Sequence, residues 1–138
     1  MICTSFRLVS GLAFACAIAS CAPVEGSSEF VSDAPPAKVV GEPVTCLSIT
    51  SIRQSNVHDD RTIDFVTRGG KVYRNSLSRG CSRLGFEESF TYATSIARLC
   101  RNEIIYTLES GGGNNLQRGA GCSLNDFVPI EYIEDEED

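Results

Sequence analysis

Residues 62–75 read TIDFVTRGGKVYRN, and the fold turns on how this stretch is read. Ile63 and Phe65 alternate with Thr62, Asp64 and Thr67, Gly69 and Gly70 supply the positive φ angles of a two-residue turn, and Val72 and Tyr73 resume an apolar run. Period-two alternation on either side of a Gly-Gly pair is the pattern of a β-hairpin.

Outward from that hairpin the same logic predicts a chain of short strands. Residues 46–52 (CLSITSI) alternate apolar and polar side chains as a half-buried strand does, and residues 56–60 (NVHDD) carry turn chemistry. Residues 76–88 hold two glycines and a cysteine without period and read as loop; residues 89–94 (SFTYAT) read as strand and residues 95–100 as a helical turn. Residues 103–109 (EIIYTLE) are strand again, residues 110–121 a mobile glycine-rich loop, and residues 122–130 contain a last short strand. Five to six short strands with a turn about every ten residues define a mainly β fold with little helix, a small antiparallel sheet or a partly open barrel or sandwich.

The N-terminus follows a different rule. Arg7 precedes an uncharged run from Leu8 to Ala19 (LVSGLAFACAIA), and twelve residues of helix span about 18 Å against a hydrocarbon core of about 30 Å. A basic start, an apolar middle and a small-residue end predict a signal peptide over residues 1–20. Ile18-Ala19-Ser20-Cys21 resembles the bacterial lipobox, which implies cleavage before Cys21, a diacylglyceryl group on its thiol and acylation of the new amino group. Several acyl chains give lasting membrane attachment where one does not. Cys16 is the poorer candidate because bulky Phe14 stands before it, and ordinary cleavage near Ala19 with release of the chain is the alternative. Ala22 after the cysteine, rather than aspartate, favours the outer membrane by the same resemblance.

The expected organisation is therefore a signal peptide (1–20), a lipid-anchored flexible linker rich in Pro, Ala and Ser (21–43), one compact domain (44–130) and an acidic disordered tail (131–138). The formal charge of -6 comes from the ends, because residues 44–130 carry ten Lys and Arg against eight Asp and Glu. Export excludes nucleic acid as a partner and leaves the membrane, reached through Cys21, together with an anionic envelope polymer or an envelope protein.

Of the seven cysteines, Cys3, Cys16 and Cys21 belong to the leader and anchor, leaving Cys46, Cys81, Cys100 and Cys122. An even number in a small exported domain predicts two disulfides. Three pairings are open. The favoured one nests Cys81–Cys100 inside Cys46–Cys122, so that the outer bridge ties the first strand to the last. Metal and redox roles are not expected, since the sequence has no CxxC and a single histidine. No cofactor is implied.

The strings DDRTIDF, GGKVYRN, RLCRNEII and GCSLNDFVPI, in that order, resemble a family of bacterial exported proteins and lipoproteins defined as a domain of unknown function. The resemblance covers about residues 46–130 and implies a compact, disulfide-bearing exported domain. It implies no activity and no catalytic residue.

Three constellations are candidate sites. His58-Asp59-Asp60 is the one place where the histidine meets carboxylates, and a hydrolase would use His58 and Asp59 there. Neighbouring strand residues face opposite ways and no nucleophile stands close by, so a turn is the preferred reading and no catalytic residue is assigned. The glycines of residues 111–121 match neither phosphate-binding pattern, GxGxxG or GxxxxGK[ST]. Arg68, Lys71, Tyr73, Arg74, Arg79 and Arg83 cluster around the hairpin and form a candidate patch for an anionic ligand, set against the plainer reading of a charged edge that resists aggregation. The functional expectation is a binding or structural module in the periplasm. An inhibitor of an envelope enzyme, inserting the loop 110–121, and a small hydrolase are the alternatives.

Overall fold

A computed structural model describes residues 30–134; the predicted signal peptide, Cys21 and residues 135–138 lie outside them. The fold is mainly β, with antiparallel sheets, two disulfides and one short helix, as expected. The strands are more numerous than the predicted five to six, because residues 46–57 divide between two strands and the segments read as linker, helical turn and glycine-rich loop each contribute one.

The strands in chain order are β1 (Ala37–Val39), β2 (Cys46–Ser48), β3 (Ile52–Val57), β4 (Thr62–Thr67), β5 (Val72–Ser76), β6 (Phe90–Tyr92), β7 (Arg98–Cys100), β8 (Ile104–Ser110), β9 (Leu116–Ser123) and β10 (Phe127–Tyr132), with helix α1 (Leu84–Glu87) between β5 and β6. They form a five-stranded sheet in the order β1-β10-β5-β4-β3, a three-stranded sheet β6-β8-β9 and a two-stranded ribbon β2-β7. Ile63 and Phe65 of β4, Leu47 of β2, Leu99 of β7, Ile105 of β8 and Phe127 of β10 meet in one buried cluster. The Phe65 ring stands edge-on to Phe127 at 5.4 Å and to Phe90 at 6.2 Å, an arrangement aromatic quadrupoles favour.

The β4–β5 hairpin forms where predicted, with a different turn. The Thr67 amide donates to the Lys71 carbonyl and the Gly70 amide to the Thr67 carbonyl, so Arg68–Gly70 make a three-residue loop in which Gly70 alone, at φ +84°, has a positive φ. A turn followed by a left-handed residue keeps the strand twist without requiring both glycines.

Four further expectations are corrected. Residues 46–52 are not one strand: a single 3-10 turn, Ile49–Ser51, separates β2 from β3 and sends them to different sheets. Residues 95–100 end in β7 rather than a helical turn, and β7 lies against β2 with Cys100 opposite Cys46. That register dictates the disulfides, Cys46–Cys100 and Cys81–Cys122, in place of the nested pairing. The bridges close intervals of 54 and 41 residues, each worth about 4 kcal/mol by the chain-entropy argument. Finally, the second half of the glycine-rich segment is strand β9. Gly119 lies so close to the side chains of Thr107 and Glu109 that a Cβ would overlap them, so glycine marks close packing in a strand here and not a mobile loop.

The expected linker and tail are structured in part as well. β1, inside the predicted linker, pairs with β10 from Ala37 opposite Tyr132 to Val39 opposite Ile130. Lys38 and Glu131 form an ion pair at 3.1 Å, and the Ile133 amide donates to the Pro36 carbonyl. The two segments satisfy each other's backbone groups, a pairing that neither segment reveals when read alone.

Candidate functional site

Side chains on β4 alternate, so Asp64, between the core residues Ile63 and Phe65, points to the opposite face of the sheet. Its side chain is nevertheless fully buried. Arg74, directly opposite on β5, grips it with two parallel bonds, Nε to Oδ1 and Nη2 to Oδ2, both at 2.8 Å. His58 Nε2 lies 2.8 Å from Oδ2, and the Tyr132 hydroxyl donates to Oδ2 at 2.8 Å. An ionised carboxylate only accepts, so His58 carries its proton on Nε2 in this contact.

Burial opposes ionisation of Asp64, but the bonds from Arg74, Tyr132 and His58 outweigh it and hold the carboxyl below its ordinary range. The bond to Asp64 correspondingly raises the Arg74 guanidinium, against the effect of burial. Burial, and then the bond to Asp64, push the Tyr132 phenol up to about 12. Charge-assisted bonds of this bidentate kind are the strong ones in proteins.

An N-terminal strap, residues 30–36, crosses this outer face. The Ser32 hydroxyl donates to Asp59 Oδ2 at 2.6 Å, the Asp33 amide donates to the same oxygen at 3.1 Å, and Arg74 Nη2 donates to the Pro35 carbonyl at 3.0 Å. Asp59 Oδ1 accepts the Arg61 amide, and Asp60 Oδ1 accepts the Gly85 amide at 2.8 Å. Burial works against the Asp59 carboxylate, yet the Ser32 hydroxyl and the Arg61 amide lead a set of bonds that lower it on balance. A Cβ on Gly85 would sit 2.9 Å from the Asp59 Cα, so helix α1 can lie against this turn only with glycine there.

His58-Asp59-Asp60 is thus a turn whose carboxylates bind the strap and α1. The pair a hydrolase would have used is not formed: His58 bonds Asp64, while Asp59 bonds Ser32 and backbone amides.

The basic patch is also dispersed. Alternation along β5 puts Tyr73 on the core side, opposite Phe65, and Arg74 on the strap side, where Asp64 holds it. Arg68 donates to the Thr50 carbonyl at the hairpin tip. Lys71 and Tyr73 line an open groove of about 550 Å³ together with Glu42, Pro129 and Glu131. Arg79 borders a smaller groove beside Gly121 and Ser123. Arg83 pairs with Glu87 at 2.6 Å and lies over the Phe86 ring at 5.3 Å. Five residues of β5 separate the tip from Arg79 and Arg83, about 17 Å of strand.

A third groove, about 480 Å³, opens at the β3–β4 turn and is lined by Phe30, Asp33, His58, Asp60, Arg83 and Phe86, among others. Among the described residues no helix is long and apolar enough to cross a membrane, and no group of three or more His, Cys, Asp or Glu side chains could hold a metal ion.

Asp64, Tyr132, Glu42, Phe30 and Phe86 carry these sites and were not singled out from sequence. A signal existed for the first, since an acid flanked by Ile63 and Phe65 must face away from the core, but the two-residue turn expected at Gly69 and Gly70 would set it opposite Asn75, and only the three-residue loop sets it opposite Arg74. No family model, curated protein or solved structure matches the chain.

Proposed function

We propose that the chain is an exported envelope lipoprotein, anchored through Cys21, whose domain binds an envelope glycan at the hairpin-tip groove. The observation that carries this reading is the lining of that groove. Tyr73 offers an aromatic ring, while Lys71, Glu42 and Glu131 offer both donors and acceptors to hydroxyl groups. Lys38 pairs with Glu131, so Lys71 and Glu42 leave the groove without net charge, which suits an uncharged or zwitterionic polymer better than the anionic one expected from the sequence. Two disulfides support an oxidising compartment, and the Ile18–Cys21 motif supports the anchor.

The test uses the purified full chain and isolated peptidoglycan sacculi. Wild type is expected to co-sediment with sacculi, and Lys71→Glu to weaken retention about tenfold, the worth of one charge-assisted hydrogen bond. Wild-type protein left in the supernatant would end the glycan reading. Intact mass tests the anchor separately: acyl groups are expected on the wild type and absent from Cys21→Ser.

A further inference from the structure

We infer that the end of the domain carrying Phe30, Val31 and Phe86 rests in the interfacial layer of a phospholipid bilayer. The inference rests on the anchored reading above for the position of that bilayer.

Phe30, Val31 and Phe86 are 44%, 82% and 79% exposed, and the two phenylalanines line the same groove at the β3–β4 turn. Each ring is backed by a guanidinium, Arg61 at 4.8 Å from the Phe30 centroid and Arg83 at 5.3 Å from that of Phe86. An apolar ring backed by a polar group fits the layer where acyl chains meet headgroups: the ring enters hydrocarbon while the guanidinium, with Arg83 still paired to Glu87, stays at headgroup level.

Position in the chain points the same way. Phe30 follows Cys21 by nine residues, at most about 32 Å of extended chain. An anchor at Cys21 therefore keeps this end of the domain near the bilayer. The hairpin tip lies at the other end of β4, six residues or about 20 Å further on, so the glycan groove opens away from the lipid. Other exposed apolar side chains, such as Ile96 and Leu116, lie on separate elements as is normal for any surface.

Charge does not drive the seating. Asp33, Asp59 and Asp60 line the same groove as Arg83, and Glu87 pairs with Arg83, so the surface has no cationic excess to draw anionic lipid. The contact is made by the side chains of Phe30, Val31 and Phe86, and it takes zwitterionic lipid.

The chain has no tryptophan, so a single one reports on its own surroundings. Full-length protein carrying Phe86→Trp, Val40→Trp or Leu116→Trp, all at exposed positions, is reconstituted into phosphatidylcholine vesicles with brominated acyl chains. Phe86→Trp is expected to shift its emission to the blue and lose most of its intensity, while Val40→Trp and Leu116→Trp keep theirs. Equal quenching at all three sites, or none at Phe86→Trp, overturns the inference. If intact mass shows Cys21 unmodified, the Phe86→Trp chain is added to preformed brominated vesicles instead. Quenching there sustains the seat without the anchor, and none overturns it.

Discussion

The two faces of the five-stranded sheet are held by different forces. On the inner face Ile63, Phe65 and Phe127 pack by shape and dryness, with no charge to satisfy. On the outer face, one residue away along β4, a fully buried Asp64 is held by Arg74, His58 and Tyr132, and the strap above it is tied by Ser32 and the Pro35 carbonyl. The strap buries little of its own apolar surface, since Val31 is mostly and Phe30 partly exposed. Apolar burial is nearly indifferent to pH. A buried charge depends on each of its partners, so the two faces should answer differently to mutation and to pH.

The sharpest division comes from Arg74→Met, which leaves Asp64 buried without its cation. A loss of about 3–5 kcal/mol is expected in denaturant titrations. Adding Asp64→Leu should return part of it, because an apolar pair can replace a buried ion pair at little cost while His58 and Tyr132 lose their acceptor. If the double variant stays as unstable as the single one, the outer face is held by something other than charge.

The pH dependence is next in size and belongs to the outer face alone. Asp64 and Asp59 have folded values below the ordinary carboxylate range, so their contributions are present above the unfolded value of about 3.9 and are lost as pH falls through the folded ones. Tyr132 has a raised value, so its contribution holds below about 10 and disappears as pH rises through about 12. Equilibrium unfolding followed against pH should show both losses, and Tyr132→Phe should remove most of the alkaline one. An unchanged alkaline limb in that variant would place the proton elsewhere.

The smallest expected effect is Ser32→Ala. Losing the hydroxyl that Asp59 accepts should cost about 1 kcal/mol, read as faster amide exchange confined to residues 30–40. Faster exchange throughout β4 and β5 would mean that strap and sheet open as one unit.

Much of the inner face was legible in the sequence, and little of the outer. Period-two alternation around Gly69 and Gly70 identified the central hairpin because one buried face imposes that pattern directly on a strand. The pairing of β1 with β10 joins residues almost a hundred positions apart, Ala37 with Tyr132, and their local composition signals only linker and acidic tail. Disulfide pairing failed for a similar reason. It depends on β2 meeting β7, and Arg98–Cys100 is too short a strand to show a period. The basic patch dissolved because charges had been counted along the chain, whereas Tyr73 and Arg74 point to opposite faces.

The overlap of the two disulfides also governs what a protease can release. Cys46–Cys100 and Cys81–Cys122 together span the chain from 46 to 122, so one cut anywhere between those cysteines, even in the exposed 111–115 turn, leaves a single covalent molecule. The exposed segment Gly41–Pro43 has no such insurance. One cut there leaves β1 and the strap attached to the body only by the hydrogen bonds and ion pair they make with β10, Asp59 and Arg74, and once those part, the body of the fold separates from everything upstream with both bridges intact.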